Sequence, residues 1–432
     1  MLANDDLARH YASLSTRGKC LAEYIFVGGN GSDLHSKSRV LDAKPKSVEE
    51  LRPWHFDGSQ TGQAPASSSA VYLRPRAIYP DPVRGGDHIL VLCDTYTPPT
   101  VESDSGAQQM QLHPSNNRAP CERVMRAAAS SAPVFSCEQQ YSLLDPKTGW
   151  PVGLPEGSMA GTSNSYCASG AALASGRDFQ DAHLRACMHA GVRISGGHAE
   201  AAVGQWSYCV GPCRGIELGD QLWISRFILL RMADQFRTRA SFEPKPVPGD
   251  WQGNGAHVKV STRETREAGR GWFAVQEHVR RLGAAHGQHL MAYGAGAAAR
   301  LGPSALTFRA GMEDRRAAVR IPTTVLVNQC GWYEDRRPAA NMDPYLVTML
   351  LVCTTLGVPL PVARGSPSGS PTGDASHARS SGCGSGPASR SSSAILDELD
   401  ELDELGSFAP DTPPQALGLL AAECSSDNFL AA

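Results

Sequence analysis

Val134-Phe135-Ser136-Cys137-Glu138-Gln139-Gln140-Tyr141-Ser142-Leu143-Leu144 reads as a β-strand, with aromatic and β-branched residues running into the turn Asp145-Pro146-Lys147-Thr148-Gly149. Side chains two apart on a strand share a face, so Glu138 and Gln140 point one way and Gln139 the other. A carboxylate in mid-strand is costly to bury unless it is paired or bound to a cation. Alone, the stretch is a half-exposed strand whose polar face meets water. It becomes a site only if other acids and a histidine converge on that face.

The chain has 432 residues, 41% hydrophobic and 19% charged, enough for two domains and a sizeable core. A net charge of −3 gives no reason to expect a nucleic-acid or membrane-surface partner, and no apolar run is long enough for a membrane span. Met1 to Asp6 has neither a secretory apolar core nor a transit-peptide pattern, which predicts a cytoplasmic location. The twelve cysteines lack repeated ligand spacing: Cys209 and Cys213 have no matching second pair. Buried reduced thiols are expected.

Leu7, Tyr11 and Leu14 suggest a short helical lead-in. Tyr24–Val27, the turn Gly28–Gly31, Val71–Leu73 and His88–Cys93 then suggest a small β-rich domain, with Trp54 to Gly62 as a polar loop. From Pro120 helices alternate with strands: Asp178 to Ala190, Asp220 to Phe236, Trp272 to Ala292, and a helix opening at Pro344. Residues 364–393 are Ser, Gly, Pro and Arg with too little apolar content to fold. Leu396 to Leu405 repeats Leu every third residue, and its six acids outnumber the whole net charge of −3. It reads as a solvated acidic tail, or else as a helical docking motif for a basic, apolar groove.

Three further stretches set polar groups among apolar ones: His198-Ala199-Glu200 through Gly204-Gln205-Trp206-Ser207; Gly249-Asp250-Trp251-Gln252-Gly253-Asn254-Gly255-Ala256-His257; and Gly331-Trp332-Tyr333-Glu334-Asp335-Arg336-Arg337-Pro338. With the opening strand, and with Phe56-Asp57-Gly58-Ser59, Thr61-Gly62-Gln63-Ala64-Pro65 and Pro80-Asp81-Pro82 upstream, these resemble the signature blocks of glutamine synthetase. The likeness is to the eukaryotic form, especially that of plants and green algae, and runs in order over residues 15–357.

The resemblance implies an α+β fold: an N-terminal β-grasp domain (residues 18–100), a catalytic domain with a curved antiparallel sheet and helices (105–358), and a disordered low-complexity tail (362–432). It implies ligation of ammonia to glutamate through a γ-glutamyl phosphate, with ATP as substrate and Mg²⁺ or Mn²⁺ as cofactor. It also implies ring-shaped homo-oligomers, or mixed oligomers with an active paralogue, whose sites lie between subunits. Carried over by position, Glu138, His257 and Glu334 hold the phosphate-side cation. Arg315, Arg320 and Arg336 face the phosphates, where forked donors suit phosphoryl oxygens. His257 and Ser261 fall at the ATP site. Arg300 takes the substrate carboxylate, Gly253 lies in the glutamate loop, Asp57 accepts a proton from ammonium, and Tyr166 belongs to the ammonium pocket.

The departures fall on the chemistry. Three glutamates hold the family's second cation, and here only Glu200 remains; the other two positions are Gln140 and Ser207. Gln140 can offer a neutral carbonyl oxygen, whereas Ser207 is too short. Hard cations bind through carboxylate charge and ligand number, so two such losses should cost on the order of 10²–10⁴-fold in affinity. After Arg300-Leu301 the family carries a Gly-x-His-Glu-Thr flap that shields the acyl phosphate. Here Gly302-Pro303-Ser304-Ala305-Leu306-Thr307-Phe308 is shorter and has neither His nor Glu. Gln252, Asn254 and Lys259 also replace Asn, Ala and Asn. Three functions compete: a ligase with impaired activity, a catalytically inactive subunit with a regulatory or structural role in mixed oligomers, and a ligase for another amine.

Overall fold

The structure is a computed structural model describing residues 5–98, 110–155, 157–158, 165–170, 173–247 and 251–361. The acidic repeat and the rest of the expected tail lie outside the described residues.

Six strands form the first sheet: β1 (Cys20–Val27), β2 (Leu34–Leu41), β3 (Trp54–Asp57), β4 (Ala70–Pro80), β5 (Ile89–Thr97) and β6 (Gln111–Leu112). Their order is β2-β1-β5-β4-β3, with β6 added to β5. The β1–β5 pair is parallel and its neighbours are antiparallel, the mixed pairing expected of a β-grasp sheet. Tyr24, Phe26, Phe56, Val71, Leu73 and Val91 pack one face.

The expected polar loop from Trp54 to Gly62 is instead strand β3 followed by a 3₁₀ turn, Gly58–Thr61. Polar residues alternate with aromatic ones there: Phe56 is buried while His55 and Asp57 face outward, an edge strand disguised by its polar face. Asp57 caps the turn, accepting a hydrogen bond from the Ser59 amide at 3.0 Å.

Eight strands form the second sheet: β7 (Val134–Leu144), β8 (Ile194–Ala199), β9 (Gln205–Arg214), β10 (Arg239–Ser241), β11 (Ala256–Ser261), β12 (Ala310–Met312), β13 (Val319–Ile321) and β14 (Tyr333–Asp335). They run β12-β13-β14-β11-β7-β9-β8, with β10 on β7, all antiparallel except β12–β13. Helices Arg118–Ala127, Arg177–His189, Glu217–Gln235, Gly271–Ala284 and Pro344–Leu356 supply the rest of the core. The last is buried on nearly every side, which explains why apolar residues cover all its faces.

One long helix expected from Trp272 to Ala292 is two: Gly271–Ala284 and His286–Tyr293, broken at Ala285. Gly283 and Gly287 flank the break, each about 1 kcal/mol worse than Ala in a helix. Tertiary contacts settle it: His286 bonds the Ala305 carbonyl at 3.0 Å and packs edge-on against Phe308. The cysteines are not uniformly buried either. Cys167 is exposed and Cys209 half-buried, though all ten described thiols are free.

Candidate active site

Residues paired directly across neighbouring strands share a face, so the register assembles the site floor. One row runs Arg320, Glu334, Lys259, Ser136; the next His257, Glu138, Cys209; a third Gln140, Ser207, His198. Glu138 and Gln140 share this floor, as the strand period predicts.

Two buried devices hold the floor from behind. Gln139 points the opposite way, and the fully buried Arg226 reaches its Oε1 through Nε at 2.9 Å and Nη2 at 2.7 Å. The same guanidinium donates to the Ala340 and Met342 carbonyls, tying β7 to the segment after β14. Asp335 takes a bidentate fork from Arg337 at 2.9 and 2.8 Å and a bond from the Tyr293 hydroxyl at 2.9 Å, with both charged side chains fully buried. This clamp turns Glu334 onto the floor.

On the phosphate side His257 Nδ1 lies 3.1 Å from Glu138 Oε1. Burial alone would raise the Glu138 carboxyl, but its bond to His257 and the nearby positive groups outweigh that and hold it down to about 2. Glu334, also buried, is pulled below the usual range by His257 and Arg336 against the same cost. Its Oε2 accepts from Arg336 Nη1 at 2.9 Å and Arg320 Nη1 at 3.3 Å. Arg320 also grips Glu313, while Arg336 Nε donates to the Arg315 carbonyl at 3.0 Å. Two arginines thus meet on one carboxylate, presenting forked donors of the kind that suits phosphoryl oxygens.

Arg300 is half-buried and donates Nη2 to the Arg336 and Arg337 carbonyls, while its buried Nε has no hydrogen-bond partner. Desolvation and the charge of Arg336 push it down to about 10. A Cβ at Gly253 would come within 2.7 Å of the Arg300 Cγ, and one at Gly255 within 2.8 Å of His257 Nε2. The Pro244 carbonyl oxygen would lie 2.7 Å from the same Cβ at Gly253, so glycine is required there for the loop to reach the floor.

The other side differs. Gln140 Oε1, expected to remain available, already accepts from the Gly255 amide at 2.7 Å. Ser207 Oγ lies 3.2 Å from His198 Nδ1 and 3.3 Å from Nε2. His198 Nε2 lies 3.3 Å from Glu200 Oε1, yet that buried oxygen has no hydrogen-bond partner. The Glu200 carboxylate beside it raises the His198 imidazole above its ordinary range. Tyr166 packs edge-on against His198 with ring centroids 5.2 Å apart, and Arg315 sits 6.0 Å from the Tyr166 ring. Asn254, an oddity in the sequence, bonds Gln205 Nε2 at 2.7 Å, Ser142 Oγ at 3.1 Å and the Glu243 carbonyl at 3.0 Å.

Two expected residues stand apart. Asp57 is exposed on the first sheet, its Oδ1 bonded to the Ser59 amide and hydroxyl at 3.0 and 2.6 Å. Ser261 shares the floor face of β11 but is fully buried and accepts from Arg266 at 2.8 Å. Sequence reasoning missed the roles of His198, Cys209, Asp335 and Arg337. His198 could have been found by counting back across the hairpin from Gly204, which sets it opposite Ser207.

Among the described residues no three His, Cys, Asp or Glu side chains gather at one point. The donors stand instead as two carboxylate–imidazole pairs, with Glu334 held by arginines. On the first side Glu138 is held ionised and shares the floor with His257 and Glu334, donor types that a divalent cation accepts. The other side offers a hard cation less charge: one carboxylate, a neutral amide oxygen already accepting from Gly255 and a hydroxyl beside His198.

A profile described as "Glutamine synthetase, catalytic domain" matches residues 117–289. The cytosolic glutamine synthetase isozyme of Chlamydomonas reinhardtii is 46% identical over 363 residues, covering 82% of this chain and 95% of that protein. Glutamine synthetase of Emericella nidulans is 44% identical over 362 residues (82% and 98%), and root isozyme 5 of Zea mays 42% over 346 (78% and 94%). Among the described residues no helix is long and apolar enough to cross a membrane. Identity at this level over nearly the whole length of these proteins, on a sheet that gathers the expected blocks, makes the chain a member of the glutamine synthetase family.

Proposed function

We propose that the chain ligates ammonia to glutamate through a γ-glutamyl phosphate formed from ATP, with activity impaired relative to its relatives. The observation that carries this reading is the asymmetry of one strand: Glu138 keeps its His257 partner at 3.1 Å, while Gln140, two residues on, spends its oxygen on the Gly255 amide.

Arg320 and Arg336 face the transferring phosphoryl group, oriented by Glu334. Arg300, with a buried Nε lacking any partner, receives the carboxylate of glutamate. Glu138, His257 and Glu334 hold a Mg²⁺ or Mn²⁺ ion on the phosphate side, and such an ion screens phosphoryl charge during transfer. Asp57 takes the proton of ammonium, and Tyr166 belongs to the ammonium pocket. The Gly302–Leu306 turn that follows Arg300 provides no acidic or imidazole side chain to close over the acyl phosphate, so water competes with ammonia. A cytoplasmic location and the domain limits 18–100 and 105–358 belong to the same proposal.

Phosphate release from ATP and glutamate, measured with and without ammonia, tests it. The expected ammonia-dependent rate is more than about tenfold below that of a relative with both glutamates present. A rate within tenfold refutes impairment.

The position of Asp57 favours a second reading. It is exposed on the first sheet, on a different sheet from the floor groups it would serve. In a ring it could complete a neighbouring subunit's site, so an inactive chain could still contribute to mixed oligomers with an active paralogue. Adding this chain to such a paralogue would then change its turnover, whereas Asp57→Ala would abolish the change.

A further inference from the structure

Arg320 is bracketed by two carboxylates. Its Nη1 lies 3.3 Å from Oε2 of the buried Glu334, a long bond. Its Nε at 3.0 Å and Nη2 at 2.6 Å both donate to Glu313 Oε2. The second Glu313 oxygen is engaged as well: Oε1 accepts from the Thr323 amide at 2.9 Å. That amide, and then Arg320, hold the Glu313 carboxyl below its usual range, so it is ionised at neutral pH.

An ordinary surface pair contributes little, because two long side chains must be ordered in high dielectric. Here Arg320 is only 16% exposed, and a backbone amide already fixes the carboxylate. The backbone is committed too. Glu313 has a φ of 49°, in the left-handed region that non-glycine residues seldom adopt, at the point where the chain leaves β12. Its amide donates to the Ile321 carbonyl at 3.0 Å, which ties the bend to β13, the strand of Arg320. The bend thus carries the carboxylate to the Nε edge of the guanidinium rather than to its Nη1 end.

We propose that Glu313 is a positioning residue for nucleotide binding: by holding the Nε edge of Arg320, it keeps that arginine from closing a two-pronged pair on Glu334. Without Glu313, the arginine and the buried carboxylate would form the bidentate pair that suits both, each neutralising the other. With it, Nη1 stays turned to the floor, and Arg320 meets the charge of Glu334 through one long bond only. The inference rests on the phosphate role proposed for Arg320 and adds what aims that side chain.

Binding of a non-hydrolysable ATP analogue with Mg²⁺ to the full chain, measured by titration calorimetry, tests this. Glu313→Ala should weaken binding by about tenfold or more, and Glu313→Gln, which keeps an acceptor oxygen, should recover part of the loss. In an Arg320→Ala background, Glu313→Ala should change binding by less than about twofold, because the side chain it aims is gone. Losses that multiply in the double variant would mean that Glu313 only braces the bend, and would overturn the proposal. A change below about twofold from Glu313→Ala alone would overturn it too. Binding that is intact but indifferent to Glu313 refutes this inference and leaves the ligase reading standing. An unaltered chain that binds no analogue refutes the phosphate site itself, and the ligase reading with it.

Discussion

Glu138 and Gln140 sit two residues apart on one strand and face the same floor, yet their surroundings have diverged. Glu138 meets His257 across β11 and is held ionised; Gln140 meets Ser207 across β9 and has turned its oxygen to the Gly255 amide. The backbone register is continuous through both rows. The difference therefore lies in side chains alone: one side gathers two carboxylates and an imidazole, the other a single carboxylate beside neutral groups and His198. On the proposed reading, such a site grips phosphate while holding the amino-acid end loosely.

The clamp behind the phosphate side provides the largest expected effect. Asp335→Asn leaves Arg337 buried beside a neutral partner and should cost about 3–5 kcal/mol, read from denaturant midpoints. A loss below about 1 kcal/mol would mean that the clamp does not hold Glu334 in place. Next, His257→Ala should weaken Mg²⁺-dependent ATP binding by about 100-fold or more, while Glu200→Gln leaves it unchanged. Equal losses in the two variants would erase the contrast between the sides.

Asn254→Ala should cost about 1–2 kcal/mol, because Gln205 and Ser142 lose their shared acceptor in a dry interior. Thermal unfolding measures this; a neutral result would mean that water replaces the amide. A pH dependence of the metal-free protein sharpens the same contrast. A folded carboxyl near 2 against an ordinary 4.5 stabilises the native state above about pH 4.5, and that contribution fades as pH falls toward 2. Glu138→Gln should flatten this part of the stability–pH curve.

Strand period alone placed Glu138 and Gln140 together, because alternation is a local property of the backbone. Helices 177–189, 217–235 and 344–356 were legible from apolar spacing and from Pro344 in a first turn. The break at Ala285 was not, since it depends on His286 reaching Ala305 and Phe308. Strand β3 was hidden because an edge strand with one wet face looks like a loop. The pairing of His198 with Ser207 depends on hairpin register, and the bond from Gly255 to Gln140 on an approach between distant segments. The sequence therefore marked Gln140 and Ser207 as departures from the expected pattern, but not which groups each would face.

The most direct measurement counts Mg²⁺ ions per chain by equilibrium dialysis, comparing the unaltered protein with Gln140→Glu/Ser207→Glu. One ion is expected in the unaltered chain and two in the double variant, with the second bound on the order of 10²–10⁴-fold more tightly than before. Two ions already present in the unaltered chain, or no gain in the double variant, would contradict the account.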